Sequence, residues 1–217
     1  MAKSGYMNVG NGRLWYEVGG EGDALVLVHA GFVDSRMWDD QWDTFTQHYR
    51  VIRFDQRGYG KSDPAQGPVS RRADLLRLLD ELGVERAALL GCSMGGEAAM
   101  DIAIEYPERV SALIVVSTAP GGFELQGPPP RYVMEMMGAA QQGDLERTSD
   151  LQFRMPALII AGALDDPEIL RAAEFMASEI EGAYKVVLPN GAHLPNMENP
   201  QMFNQAVLSF LGGPNRG

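Results

Sequence analysis

The chain has 217 residues, 45% of them hydrophobic and 22% charged, which is enough apolar content for one well-buried core and a single domain spanning 1–217. A net charge of −11 argues against nucleic-acid or anionic-membrane partners, and a lone cysteine, Cys92, excludes an internal disulfide or a cysteine metal site. Met1 to Val9 lacks the apolar core of a signal peptide and no run nears the roughly 18 apolar residues of a membrane span, so a reducing cytoplasm is the expected location.

In chain order, residues 13–18 and 24–28 read as strands, and the turn Gly19-Gly20-Glu21-Gly22-Asp23 between them predicts an antiparallel hairpin. Further apolar runs at 51–54, 87–90, 112–116, 157–160 and 185–188 predict strands. Their nearly continuous apolar character suits a sheet buried on both faces. Helical stripes alternate with them: Leu75, Leu78, Leu79 and Leu82; Ala99, Ile102, Ala103 and Tyr106; Phe203, Val207, Phe210 and Leu211. Repeated strand–helix alternation predicts the α/β class with a mostly parallel sheet and right-handed crossovers. Between Pro120 and Pro156 the pattern breaks. Gly121-Gly122 and Pro128-Pro129-Pro130 precede a Met-rich helix predicted over 132–142, an excursion from the sheet.

Gly91-Cys92-Ser93-Met94-Gly95 falls between the run 87–90 and a predicted helix over 96–106, which sets Ser93 at a strand-to-helix corner. A serine at such an apex needs strained backbone angles, and glycines two positions before and after it remove Cβ atoms that would clash. The hydroxyl is then presented for attack, and the helix start offers N–H groups and a positive dipole end to a developing oxyanion. Cys92 reads as a small buried residue behind the corner.

A nucleophilic serine needs a base. Of three histidines, His29 ends a strand far upstream and His48 lies in the polar patch Thr46-Gln47-His48-Tyr49. His193 follows the last predicted strand in a loop, where the carboxyl edge of an open α/β sheet delivers ligand-facing groups. Its imidazole takes the hydroxyl proton and returns it to the leaving group. Asp165, in the loop after 157–160, is the candidate to orient that imidazole. Asp166 competes, although its position before Pro167 also reads as a helix N-cap. The order Ser93, Asp165, His193 is that of α/β-hydrolases.

Most of the chain resembles the α/β-hydrolase superfamily, in its esterase and 3-oxoadipate enol-lactonase-like branch. Five segments carry the resemblance: Leu27-Val28-His29-Ala30-Gly31-Phe32, Asp55-Gln56-Arg57-Gly58-Tyr59-Gly60-Lys61-Ser62, Gly91 to Gly96, Gly162 to Asp165, and Gly191-Ala192-His193. It implies an oxyanion hole made by the N–H of Met94 and one from the loop after His29, matched to Gly31 or to Phe32. It implies turn-forming roles for Arg57, Gly58 and Ser62, a structural one for His29, and neither cofactor nor metal.

Relatives carry a longer helical cap where this chain has only 118–155, so a reduced cap is expected. Phe32, Met136 and Met137 are candidates to line the substrate site; the Met-rich stretch reads equally as a helix packed on the core or against a second subunit, a homodimer. The expected partner is a small-molecule ester or lactone, cleaved through an acyl-enzyme. Lactone hydrolysis, perhydrolysis, acyl transfer and an inactive binding module are the alternatives.

Overall fold

The structure, a computed structural model, describes residues 2–124, 126 and 153–213. The Met-rich helix expected over 132–142, with Met136 and Met137, lies outside the described residues. Strands β1 (Lys3–Asn8), β2 (Arg13–Gly19), β3 (Ala24–Val28), β4 (Arg50–Phe54), β5 (Ala87–Cys92), β6 (Val110–Val116), β7 (Ala157–Gly162) and β8 (Tyr184–Leu188) form one sheet. Its order is β1-β2-β4-β3-β5-β6-β7-β8; β1 and β2 run antiparallel to their neighbours and all other pairs are parallel.

Helices α1 (Asp39–Phe45), α2 (Arg71–Glu81), α3 (Met94–Glu105), α4 (Pro167–Glu179), α5 (Pro195–Glu198) and α6 (Pro200–Gly212) cover the sheet. The alternation of side chains along each strand divides the core in two. Val26, Val28, Leu89, Leu113 and Ile159 meet Leu75, Leu78 and Leu79 of α2 and Ala99 and Ile102 of α3. On the other face Leu25, Leu27, Leu90, Ile114 and Ile160 meet Trp38, Phe45 of α1, and Phe203, Val207 and Leu211 of α6. Burial of each such side chain contributes roughly 1.5–3 kcal/mol, and both faces must be covered because the parallel strands are apolar throughout.

The expected β2–β3 hairpin is not formed. The glycine-rich turn reverses the chain, but β4 inserts between the two strands, pairing antiparallel with β2 and parallel with β3. The reason is burial. Leu25 to Val28 are all inaccessible and need a strand on either side, whereas β2 is only partly covered and suits a position near the sheet's end. Two elements are additional to those expected: β1, in which Met7 is the one buried residue, and the short polar helix α1. At the opposite edge β8 is half exposed rather than buried on both faces. No helix among the described residues is long and apolar enough to cross a membrane.

Candidate active site

Ser93 joins β5 to α3 with φ 50 and ψ −118, a left-handed strain costing about 1–3 kcal/mol. The surrounding glycines allow it. A Cβ on Gly91 would overlap the carbonyl of Gly95, and one on Gly95 would overlap the carbonyls of Val28 and His29. The main chain at Ser93 is fixed from β6: its N–H donates to the Val116 carbonyl at 2.8 Å, and Thr118 Oγ1 donates to the Ser93 carbonyl at 3.0 Å. Its hydroxyl does not cap α3, and the N–H of Met94, the first helical residue, has no intrahelical partner. Among the described residues the other non-glycine residues with positive φ are Phe32, Ser117 and Asn190, following β3, β6 and β8. Backbone strain is therefore concentrated at the carboxyl edge of the sheet.

The acid and base loops ride on each other. Beyond the last β7–β8 pair, Gly162 with Leu188, the Ala163 N–H donates to the Leu188 carbonyl and the Leu164 N–H to the Gly191 carbonyl, at 2.9 and 2.8 Å. Gly162 lies so close to Gly191 and Ala192 that no Cβ fits. This brings the Asp165 carboxylate to His193 Nδ1, at 3.0 Å from Oδ1 and 3.2 Å from Oδ2, with His193 Nε2 at 3.1 Å from Ser93 Oγ. The Asp165 side chain is only 2% exposed and that of His193 26%. With Nδ1–H donating to the buried carboxylate, the Nε2 lone pair faces the serine hydroxyl.

Asp166 plays a different part. Its N–H donates to Asp165 Oδ1, and its own carboxylate accepts the Glu168 N–H as the N-cap of α4, with Pro167 as the first helical residue. The base loop is further tied by the Ala192 N–H donating to Glu198 at 2.5 Å and by Cys92 Sγ, 3.7 Å from the His193 carbonyl. Burial pushes the Cys92 thiol well up, so it stays protonated and inert.

His29 is fully buried, with Nδ1 donating to the Ala30 carbonyl and Nε2 accepting the Gln56 N–H, and burial holds it below the usual histidine range. His48 is exposed. In the 55–62 turn, Asp55 accepts the N–H groups of Ser35 and Lys61, and Ser62 bridges Asp55 to Trp15. Arg57 holds Asp74 through two hydrogen bonds, yet burial outweighs that partner and raises the Asp74 carboxyl. These residues are scaffold. The main chain at Gly95, next to Met94, packs directly against the carbonyls of Val28 and His29, just before Gly31 and Phe32 in the chain.

Phe32, exposed, borders a cavity of about 440 Å³ together with Asp34, Arg36, Met37, Tyr59 and Met197. Of this set only Phe32 is an expected substrate-site residue. Met197 lies in α5, four residues past His193 in the chain, and Tyr59 lies inside the turn motif, the one signal that pointed to it. Among the described residues, no three His, Cys, Asp or Glu side chains cluster to hold a metal ion.

Residues 23–150 match the alpha/beta hydrolase fold family. The chain belongs to it. This α/β hydrolase is 28% identical, over an alignment of 252 positions including gaps that covers 91% of its own length and 97% of the relative's, to pimeloyl-[acyl-carrier protein] methyl ester esterase of Yersinia enterocolitica. It is 27% identical to 3-oxoadipate enol-lactonase 2 of Acinetobacter baylyi, with 90% and 92% covered. A solved hydrolase from Pseudomonas aeruginosa PA01 superposes with a TM-score of 0.81 at 28% identity, covering 97% of the α/β hydrolase and 98% of that chain.

Proposed function

We propose that this α/β hydrolase cleaves small to medium carboxylic esters through an acyl-enzyme on Ser93. What carries the reading is the unbroken hydrogen-bonded line Asp165–His193–Ser93 at the strained corner. Ser93 Oγ attacks the ester carbonyl carbon as its proton passes to His193 Nε2. The oxyanion is held by the N–H of Met94 and that of Gly31, with Phe32 as the alternative second donor. On collapse the C–O bond to the alcohol breaks, and the departing oxygen takes the proton from Nε2. Water then attacks the acyl carbon, gives a proton to Nε2, and the acid leaves as Ser93 regains its own. Asp165 keeps the imidazole in one tautomer and stabilises the imidazolium.

Residues 118–155 serve as a reduced cap in this reading. The alignment with the Yersinia esterase spans 252 residues against a chain of 217, so that relative holds stretches this chain lacks. A reduced cap leaves few residues to enclose a substrate, which favours compact substrates over long chains. A lactone passes through the same intermediates, and the similarity to an enol-lactonase makes lactone hydrolysis the second reading. The homodimer expectation rests on Met-rich residues outside the described set. A panel of p-nitrophenyl esters and lactones, run on wild type and Ser93→Ala, tests the proposal: hydrolysis that survives in Ser93→Ala refutes it, and the better class of substrate chooses between the readings.

A further inference from the structure

A buried amide network spans the distance between the base loop and the loop after β3. Asn196, three residues past His193, is inaccessible; its Nδ2 donates to the Met37 carbonyl at 2.7 Å and to Gln41 Oε1 at 3.2 Å. Its main-chain carbonyl accepts from Gln41 Nε2 at 3.0 Å. Met37 in turn takes the Ala30 N–H on its sulfur at 3.3 Å, and Ala30 immediately precedes Gly31 and Phe32. Ala30, Met37, Gln41 and Asn196 are all buried.

Strand pairing does not set this span, because β5, β6 and β7 lie between β3 and β8. The amide network closes it directly, across the end of the sheet. Asn196 Oδ1 is buried without a hydrogen-bond partner among the described residues, so the amide sits there at a desolvation cost that an apolar side chain would avoid.

We infer that Asn196, with Gln41, is a positioning residue that fixes His193 relative to the oxyanion loop. The inference rests on the ester-hydrolysis reading above. Imidazole and oxyanion donors must meet the same tetrahedral centre, and a displacement near 1 Å raises the barrier while substrate binding is kept.

The test compares wild type, Ser93→Ala, Asn196→Leu, Gln41→Met and Asn204→Leu by steady-state kinetics on p-nitrophenyl acetate, by inhibition with phenylboronic acid, a tetrahedral mimic, and by thermal unfolding. Asn204 is the outer end of the network. It accepts from Gln41 and donates to the Asp40 carbonyl. For Asn196→Leu, kcat is expected to fall about tenfold or more and boronate affinity to fall in parallel, with KM within about threefold. Gln41→Met loses about threefold or more in kcat, and Asn204→Leu is less stable but keeps kcat within about twofold. Folded Asn196→Leu or Gln41→Met with kcat within about twofold of wild type overturns the inference, as does an equal loss in Asn204→Leu, which makes the effect one of stability alone. If Asn196→Leu does not fold, Gln41→Met decides. Hydrolysis that persists in Ser93→Ala removes the underlying reading and the inference with it, whereas Ser93-dependent hydrolysis with full activity in Asn196→Leu removes only the inference.

Discussion

The backbone N–H of Asp166 donates to the Asp165 carboxylate at 2.8 Å, while the carboxylate of Asp166 turns away to the Glu168 N–H at 2.9 Å. Neighbouring acids thus divide the work: one faces His193, the other starts a helix. Asp165→Asn is expected to lower kcat on the order of 10⁴-fold with little change in stability, because the imidazole then settles in the wrong tautomer. Asp166→Ala keeps the N–H that braces Asp165 and loses about 1 kcal/mol of helix capping, so its kcat should stay within a few-fold. Kinetics beside urea unfolding of both variants decides it; the reverse ranking moves the orienting acid to Asp166.

Ser93→Ala and His193→Ala should each lower kcat by about 10⁴- to 10⁶-fold, and the double variant should lose no more than either alone. Non-additivity follows from their acting in one proton transfer. Multiplying losses in the double variant would mean that the two residues work separately.

Gly162→Ala places a methyl group against the carbonyl oxygens of Gly191 and Ala192, backbone that cannot swing aside. It should destabilise the protein by about 1–3 kcal/mol and reduce kcat, since the same push separates the acid and base loops. Gly212→Ala, with nothing near its Cβ at the end of α6, should be neutral or slightly stabilising. Chemical denaturation and kcat of the pair measure the contrast.

His29 sets a pH dependence of stability. Burial lowers its folded pKa below 6.5, so the unfolded chain takes up a proton that the folded one resists. The stability it contributes is present above 6.5 and is lost as pH falls from there through the lower folded value. Asp74, whose carboxyl is raised, acts in the opposite sense but does so equally in wild type and variant. Unfolding midpoints from pH 7.5 to 5 should therefore fall in wild type and fall less steeply in His29→Gln; parallel curves would assign the decline elsewhere.

With only a reduced cap to enclose the acyl chain, each added acyl methylene should gain well under the roughly 0.8 kcal/mol of full burial. From p-nitrophenyl acetate to decanoate, kcat/KM is expected to stay flat or decline, and Phe32→Ala and Met197→Ala to raise KM more than they lower kcat. A steep rise with chain length would show that the substrate is enclosed.

The chemistry was legible where local sequence and local physics coincide. At Gly91 to Gly95 the corner is dictated by contacts a few residues apart, and Asp166 before Pro167 announces its own helix start. Sheet order was harder. Nothing local in the turn 19–23 says that a strand thirty residues onward will part β2 from β3; that outcome depends on how thoroughly Leu25 to Val28 must be covered. Asn196 and Gln41 were silent for a related reason: an amide in a polar loop and one in a short polar helix look like surface residues until packing buries them together.

β6 and β7 stand side by side, and the ends of the stretch between them are stitched to the sheet itself: the Leu113 N–H to the Pro156 carbonyl, and the Ser117 N–H to that of Ile160. Because the two strands are parallel, the chain leaves β6 at the carboxyl edge of the sheet and re-enters β7 at the amino edge, and the spacing of these two points is held by the ladder and not by what connects them. Loop-closure entropy grows only slowly with length. Inserts of different size and composition are thus interchangeable at this point without rewiring the sheet, and a longer insert transplanted there offers a direct way to give the same Ser93 a different substrate range.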